Sequence, residues 1–184
     1  MCTECEEGTY SETVGATTKD SCTACPAGTY QPSRGQGSAN DCALCPAGTY
    51  GAEPGATELS NCTVCPAGTY SSTVGINSTE DCERCPAGTR SSIEGAAYVA
   101  TCRACEKGTW SNMTGRSGDC DKCPAGLFGI MAGGASAEEA CQKCPAGSYG
   151  GRSGSASQEV RGKRLQNPLR ENDVCGLGKC SVIR

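Results

Sequence analysis

Cysteines are the residues of this chain whose type and spacing could support chemistry. Of its 184 residues 18 are cysteines, and sixteen of these form Cys-x-x-Cys pairs. Such pairs can exchange thiols and disulfides, bind zinc two pairs at a time, or take part in structural crosslinks. The eight pairs are Cys2/Cys5, Cys22/Cys25, Cys42/Cys45, Cys62/Cys65, Cys82/Cys85, Cys102/Cys105, Cys120/Cys123 and Cys141/Cys144.

Composition excludes several other kinds of chemistry. The chain has no histidine, which excludes Ser-His-Asp and Cys-His catalysis and histidine-ligated metals. A redox enzyme needs one exposed cysteine with a lowered pKa, and nothing distinguishes one pair from the other seven. The formal net charge of −4 argues against binding nucleic acid, and no apolar run approaches the roughly 20 residues of a membrane span. The sequence predicts a protein that is not an enzyme, with no catalytic, cofactor-binding or metal-binding residue and no cofactor.

An ordinary hydrophobic core is excluded as well. Leucine, isoleucine, valine and phenylalanine together make up 18 of the 184 residues. A chain this poor in large apolar residues cannot offset the entropy cost of ordering its backbone, about 1–2 kcal/mol per residue. Covalent crosslinks must supply the order instead.

The pairs recur in a way that indicates tandem duplication of one unit. The spacing is 20 residues for five intervals, then 18 and 21. Glycine stands three and ten residues after the second cysteine in all eight units, where we expect tight turns with positive φ. We predict a small disulfide-rich fold: an elongated tandem-repeat rod of short β-hairpins and turns, with no helices in the repeats, in which each unit contacts only its neighbours. Residues 1–151 form these eight repeats, the last one incomplete.

One aromatic residue per unit is available for packing. Seven of the eight aromatic residues stand five residues after the second cysteine, and each ring is expected to stack on a disulfide or a neighbouring turn. The fifth unit has Arg90 at this position, which indicates either a contact face or a missing ring that Tyr98 replaces. The predicted packing aromatics are Tyr10, Tyr30, Tyr50, Tyr70, Tyr98, Trp110, Phe128 and Tyr149.

If all units are equivalent, the disulfide pairing must survive a shift of one period. Two schemes do so: each Cys-x-x-Cys closes on itself, or each second cysteine bonds to the first cysteine of the next pair. The first scheme makes tight loops typical of redox-active sites, and a row of these makes little sense in a structural array. We therefore expect the second scheme. Its bridges are Cys5–Cys22, Cys25–Cys42, Cys45–Cys62, Cys65–Cys82, Cys85–Cys102, Cys105–Cys120 and Cys123–Cys141.

Zinc is the serious alternative to disulfides. Two Cys-x-x-Cys pairs separated by about 15–20 residues are a known zinc pattern. Each zinc ion would use four cysteines and tie the units together in twos. The proline after most second cysteines, the glycosylation acceptors and the number of pairs favour disulfides.

A short string carries a family resemblance. Cys-Pro-Ala-Gly-Thr-Tyr occurs at Cys25–Tyr30, Cys45–Tyr50 and Cys65–Tyr70, and an acidic or amide residue precedes the closing cysteine at Asp41, Asn61 and Asp81. Residues 1–151 thereby resemble the ephrin-receptor-like cysteine-rich repeats, which are similar to modules of tumour-necrosis-factor receptors. The resemblance implies elongated, disulfide-laddered stalks of extracellular proteins with little regular secondary structure. It also implies bridges from each second cysteine to the next first cysteine.

Three triplets match the acceptor pattern for N-linked glycans. They begin at Asn61, Asn77 and Asn112. Asn77 and Asn112 lie in long loops with room for a glycan, whereas Asn61 adjoins a bridge and is the weakest candidate. So many cysteines require an oxidising compartment, and Met1 is followed directly by Cys2. We therefore expect a secreted or cell-surface protein whose signal peptide is not in this chain.

The composition changes at residue 152. Residues 152–184 form a basic tail with a net charge of +4, against −8 for the residues before it. Cys144 is expected to pair with Cys175 or else with Cys180, and Cys2 with a preceding unit or another molecule. Opposite charges on the tail and the repeats suggest that copies of the chain associate head to tail.

The predicted function is that of a non-enzymatic extracellular structural protein, a stiff and glycosylated rod suited to a surface filament or appendage. Its expected partners are other copies of itself or other extracellular proteins, together with covalent glycans. The alternative is the ectodomain stalk of a receptor or adhesion protein that binds a protein ligand.

Overall fold

The structure is a computed structural model that describes residues 2–156 and the backbone of residues 173–175 and 180–183. Its first strands are β1 Thr9–Tyr10, β2 Thr23–Ala24, β3 Thr29–Tyr30, β4 Ala43–Leu44, β5 Thr49–Tyr50, β6 Thr63–Val64, β7 Thr69–Tyr70 and β8 Glu83–Arg84. They are followed by β9 Thr89–Arg90, β10 Arg103–Ala104, β11 Thr109–Trp110, β12 Asp121–Lys122, β13 Leu127–Gly129, β14 Cys141–Lys143, β15 Tyr149–Gly150, β16 Asp173–Cys175 and β17 Cys180–Ile183.

Successive strands up to β14 form seven two-stranded antiparallel hairpins, as the sequence predicted. In each hairpin the first strand follows the early glycine, and the second contains the two residues between the next pair of cysteines. In the third repeat, for example, Thr49 pairs with Val64 and Tyr50 with Thr63. After the last hairpin the pattern changes, because β15 pairs in parallel with β16, which pairs antiparallel with β17.

The turn before each hairpin explains the recurring Cys-Pro-Ala-Gly-Thr string. In the second repeat Gly28 has φ of 85°, which a residue with a side chain adopts only at a cost. The next residue, Thr29, donates both its N–H (3.1 Å) and its hydroxyl (2.7 Å) to the carbonyl of Pro26. The glycines of both repeated positions have positive φ in all eight repeats, as expected.

The chain divides into two compact units. Unit 1 comprises residues 1–83 and 93–101, and unit 2 comprises residues 84–92 and 102–184. We use the word loop for the residues between the second cysteine of one pair and the first cysteine of the next. Loops 1 to 7 are residues 6–21, 26–41, 46–61, 66–81, 86–101, 106–119 and 124–140.

Within unit 1, backbone hydrogen bonds join each loop to the next. In loop 3, the N–H groups of Gly48 and Gly51 donate to the carbonyls of Ser71 and Ile76 in loop 4, at 2.8 and 3.0 Å. In the opposite direction Gly75 of loop 4 donates to the carbonyl of Cys45 at 2.8 Å. Only main-chain atoms take part, so the connection survives changes of side chain.

Unit 2 repeats the same arrangement. The N–H groups of Gly88 and Ser91 donate to the carbonyls of Ser111 and Arg116, at 2.7 and 3.0 Å. Gly115 donates back to the carbonyl of Cys85 at 2.7 Å. The two units therefore use one pattern of connection between successive loops.

The prediction that each repeat contacts only its neighbours is wrong. A Cβ atom placed on Gly28 in loop 2 would lie 2.9 Å from the carbonyl carbon of Gly75 in loop 4, and closer still to its oxygen. Gly8 approaches Gly55 in the same way, and in unit 2 Gly88 approaches Gly133. At Gly8, Gly28 and Gly88 glycine is thus required for two reasons: the positive φ angle, and the close approach of the second loop along the chain.

The core consists of sulfur. Among the described residues no leucine, isoleucine or valine is buried, and Phe128 is the one large apolar side chain other than cysteine in the core. The second cysteines of six pairs are completely inaccessible to solvent: Cys25, Cys45, Cys65, Cys85, Cys105 and Cys123. Burial thus follows the cysteine pairs rather than an apolar face of any strand.

Short helical turns are an exception to the expectation of no helices in the repeats. In loop 2 side chains cap the turn: the carboxylate of Asp41 accepts from the N–H groups of Gly37 (3.2 Å) and Ser38 (2.9 Å), and the Ser38 hydroxyl accepts from Asn40. These are side-chain caps of the usual kind. The turns are 3-10 helices at Lys19–Ser21, Ala39–Asp41, Leu59–Asn61, Thr79–Asp81 and Val99–Thr101, and α1 at Ala137–Ala140.

Alanine substitutions at three glycines of unit 1 distinguish the cost of a positive φ angle from the cost of the contact with the second loop along the chain. Gly37→Ala should leave stability unchanged, because Gly37 has ordinary φ and open space around it. Gly15→Ala should cost about 1–2 kcal/mol, because Gly15 has φ of 75° but no neighbour within 4 Å. Gly28→Ala should cost about 1–3 kcal/mol more, from the clash with Gly75. Calorimetry of the disulfide-intact proteins measures these differences, and equal costs for Gly15→Ala and Gly28→Ala would contradict the contact.

Candidate functional site: the disulfide ladder and the exposed loops

Seven disulfides close the seven loops. Their Cα atoms lie 5.6–5.9 Å apart, within the normal range. In the chain-entropy account each closed loop of this length is worth about 3 kcal/mol. The pairs are those that the sequence analysis chose over zinc binding: Cys5–Cys22, Cys25–Cys42, Cys45–Cys62, Cys65–Cys82, Cys85–Cys102, Cys105–Cys120 and Cys123–Cys141.

Four cysteines lie outside these seven bridges: Cys2, Cys144, Cys175 and Cys180. Cys2 is exposed and forms no disulfide with a described residue. The expected pairing of Cys144 with Cys175, and its alternative with Cys180, involve side chains outside the described residues. These pairings therefore stay predictions.

The aromatic residues of the shared position do not all pack alike. Phe128 is buried, and Trp110 packs against the cluster formed by Cys123, Ala140 and Cys141. The rings of the first four repeats are half-buried in their hairpins: Tyr10, Tyr30, Tyr50 and Tyr70.

Two of the predicted packing aromatics are exposed. Tyr98 is 67% exposed, so it does not replace the missing ring of the fifth repeat. It directly precedes the 3-10 helix Val99–Thr101, at the position that Ser38 occupies in loop 2, and this end of the loop is open to solvent. Tyr149 is 43% exposed, because its strand pairs with β16 instead of with a following Cys-x-x-Cys segment.

The three candidate glycosylation sites are all exposed. Asn61 has a structural role as well: its Oδ1 accepts from the N–H groups of Thr57 (3.2 Å) and Glu58 (3.0 Å), as the carboxylate of Asp41 does in loop 2. Asn77 and Asn112 form no such cap with another described residue and lie away from the bridges along the chain. Their exposure is compatible with glycans, and glycosylation stays a prediction.

Loop 6 departs from the other loops. Its bridge spans 15 residues instead of the 17 found in loops 1 to 5, and its residues form no 3-10 helix. Arg116 closes the shortened loop instead. Its guanidinium donates to both carboxylate oxygens of Asp121, at 2.7 and 2.8 Å, and to the carbonyl of Asp119 at 2.6 Å. The hydrogen bond that Arg116 donates to Asp121 raises the pKa of Arg116, so this cation is permanent.

The hairpin of the fifth repeat places two arginines opposite each other. Arg90 in β9 and Arg103 in β10 are Cα partners. Like charges in directly opposed positions destabilise a hairpin. One carboxylate compensates: Asp119, itself 95% exposed, lies 3.5 Å from the Arg90 guanidinium. Sequence analysis singled out Arg90 but not Arg103, because the register that opposes them was not known.

A tyrosine in the fourth repeat is coupled to a carboxylate. The Tyr70 hydroxyl donates to Glu83 Oε2 at 2.7 Å across the β7–β8 hairpin. This hydrogen bond, with the negative charge of Glu83, raises the pKa of Tyr70 above its usual value of 10.0. Because a tyrosinate cannot donate, the contribution of the bond to stability is present below about pH 10 and is lost as the pH rises through the folded-state pKa.

Replacing Glu83 tests this coupling. Glu83→Thr gives the β7–β8 hairpin the partner that Tyr50 has in β6, and the Tyr70 pKa should then fall towards about 10. Carbon-13 NMR of the tyrosine rings, from about pH 8 to about pH 12, follows each residue separately. Tyr50 serves as the internal control, and an unchanged Tyr70 titration in the variant would rule out the coupling.

Comparison with known proteins identifies the family. No curated protein matches the chain. No helix in the described part is long and apolar enough to cross a membrane. The family described as tyrosine-protein kinase ephrin type A/B receptor-like matches over residues 13–62, 57–102 and 97–139, which together cover more than half of the chain. With its seven bridges between successive Cys-x-x-Cys pairs, the chain therefore belongs to the ephrin-receptor-like family of cysteine-rich repeats.

Proposed function

We propose that this chain is a non-enzymatic extracellular structural protein: a stiff, glycosylated rod of disulfide-closed repeats, suited to a surface filament or appendage. The observation that carries the proposal is the unbroken series of seven bridges, each closing one loop. The repeat family is a non-catalytic extracellular module, which supports a secreted or cell-surface location. An oxidising compartment is also what seven structural disulfides require.

Stiffness follows from the connections between loops. The two residues between the cysteines of a pair belong to a hairpin strand, as Ala43 and Leu44 do in β4, so they are not a free linker. Main-chain hydrogen bonds then tie each loop to the next within a unit, and the glycine contacts tie it to the second loop along. Bending within a unit would have to break several of these contacts at once.

The sulfur atoms have no redox role in this proposal. Thiol chemistry needs an accessible thiolate. The second cysteine of each central pair, such as Cys65 or Cys85, is bonded and completely buried. These sulfurs serve as crosslinks and as core.

A second candidate is the ectodomain stalk of a receptor or adhesion protein that binds a protein ligand. The match to ephrin type A/B receptor-like repeats favours it. The two candidates share the disulfide-closed scaffold and differ in what the scaffold contacts. Purified chain that assembles on its own supports the structural protein, whereas chain that stays monomeric and binds a cell-surface protein supports the stalk.

Reduction followed by alkylation tests the role of the bridges. The native protein should give the small-angle X-ray scattering of a rigid, extended particle, and treatment should convert it to a disordered chain, because about 3 kcal/mol per closed loop is lost. Circular dichroism should lose its disulfide signal in parallel. A treated protein that keeps its native scattering curve would contradict the proposal.

Glycan occupancy is tested by expression in secreting animal cells. Asn77→Gln and Asn112→Gln should each remove the mass of one N-linked glycan, and the double variant should no longer respond to N-glycosidase. Asn61→Gln is the matched control, and no loss of glycan mass is expected from it. If no variant lost the mass of a glycan relative to the native chain, N-linked glycans would be removed from the proposed function.

A further inference from the structure

In an array of nearly identical loops, a contact made at one place requires residues that depart from the repeat. Two loops lack the Pro-Ala that follows the second cysteine elsewhere, and both replace it with charged residues. Loop 1 has Glu6 and Glu7, and loop 6 has Glu106 and Lys107. The fifth repeat, which precedes loop 6, has Arg90 in place of the aromatic residue.

The arginine pair of the fifth repeat carries uncompensated positive charge. Arg103 is exposed and makes no ion pair with another described residue. Asp119 is shared, since its carboxylate faces Arg90 and its carbonyl accepts from Arg116. Two arginines at paired positions, with one exposed carboxylate beside Arg90, leave positive charge that a further anion can bind.

The surroundings hold this pair in place. Ser91, next to Arg90, donates its N–H to the Arg116 carbonyl at 3.0 Å. The Arg116 side chain is 16% exposed and bonded to Asp121. The aliphatic part of Arg84 lies over Gly115, 3.4 Å from a Cβ atom placed there. The positive surface is thus built on fixed backbone rather than on a free loop.

The matching negative surface is present in the same molecule. Residues 1–83 hold eleven carboxylates and two cations, whereas residues 84–184 hold fourteen cations and nine carboxylates. All eleven carboxylates of the first set are exposed. They are densest around loop 1, where Glu6 pairs with Lys19 and Glu7 with Arg34. Glu4 and Glu12 make no ion pair with another described residue.

We infer that the Arg90–Arg103 hairpin of one copy binds the acidic surface around Glu4 and Glu12 of a second copy. Each copy then offers one surface of each sign, so the contact is heterologous and can extend from copy to copy. This inference rests on the proposed structural role, to which it adds the contact surface. The positive partner in this contact is a hairpin of the repeats rather than the basic tail.

Two variants remove one surface each. Arg90→Tyr/Arg103→Thr restores the residue types found in the third repeat, and it should be at least as stable as the native chain because a like-charge pair is removed. Glu4→Gln/Glu12→Gln removes the charge of two acidic groups that form no ion pair with another described residue. Lys122→Gln/Lys143→Gln is the matched control, since both lysines are exposed and the variant changes net charge as much as the arginine variant does.

Sedimentation velocity over a range of concentrations gives a distinct result for each sample. At low salt the native chain should grow beyond a dimer, and high salt should disperse it. Each surface variant alone should stay monomeric, with association weakened about tenfold or more, whereas the control should associate like the native chain. An equal mixture of the two surface variants should stop at a dimer, because it retains one intact contact.

Three results would overturn the inference. If the native chain is monomeric at low salt, the proposed contact does not form. The proposed scaffold is tested separately, by the scattering and reduction experiment. Equal loss of association in the lysine control would show an effect of net charge alone. A chain that stays monomeric but binds to a sulfated polysaccharide column through Arg90 and Arg103 would have a polyanion as its partner rather than a second copy.

Discussion

Covalent closure of short loops is the constraint on which the rest of this structure depends. The free energy that a globular domain draws from apolar burial is replaced here by the restriction that each bridge places on the unfolded chain. The bridges also form the interior, since the second cysteine of each central pair is the residue most completely removed from water. Sulfur therefore performs two tasks that are separate in most proteins: it shortens the accessible chain and fills the core.

Cysteines form most of the core, and main-chain hydrogen bonds connect successive loops. The other side chains are therefore free to vary. The cap before the closing cysteine is a carboxylate at Asp41 and an amide at Asn61, with the same pattern of accepted hydrogen bonds. Loop 6 omits the helical turn and is closed by Arg116. Glycine is the exception to this tolerance, because the early turn needs positive φ and meets the backbone of the second loop along.

Spacing in the sequence was sufficient to predict what is local. It predicted the hairpins, the glycine turns and the seven bridges, each of which involves residues within one period. The contact of Gly28 with Gly75 was missed, because a period of 20 residues does not state how successive loops wind. Tyr98 was misplaced because composition alone cannot distinguish the hairpin position from the exposed end of a loop. Arg103 was missed because cross-strand register decides what faces Arg90.

The arginine pair shows how one position of a regular scaffold can acquire a role that the others lack. The backbone of the fifth repeat is that of its neighbours, with the same hairpin register, so the difference lies in the side chains. Opposed arginines cost stability, and a scaffold fixed by bridges tolerates this cost where a hairpin held by side-chain packing would not. The acidic early loops and the arginines of the fifth repeat can then be positioned independently. In the proposed contact the repeat thus supplies regular spacing, and the departures from it supply recognition.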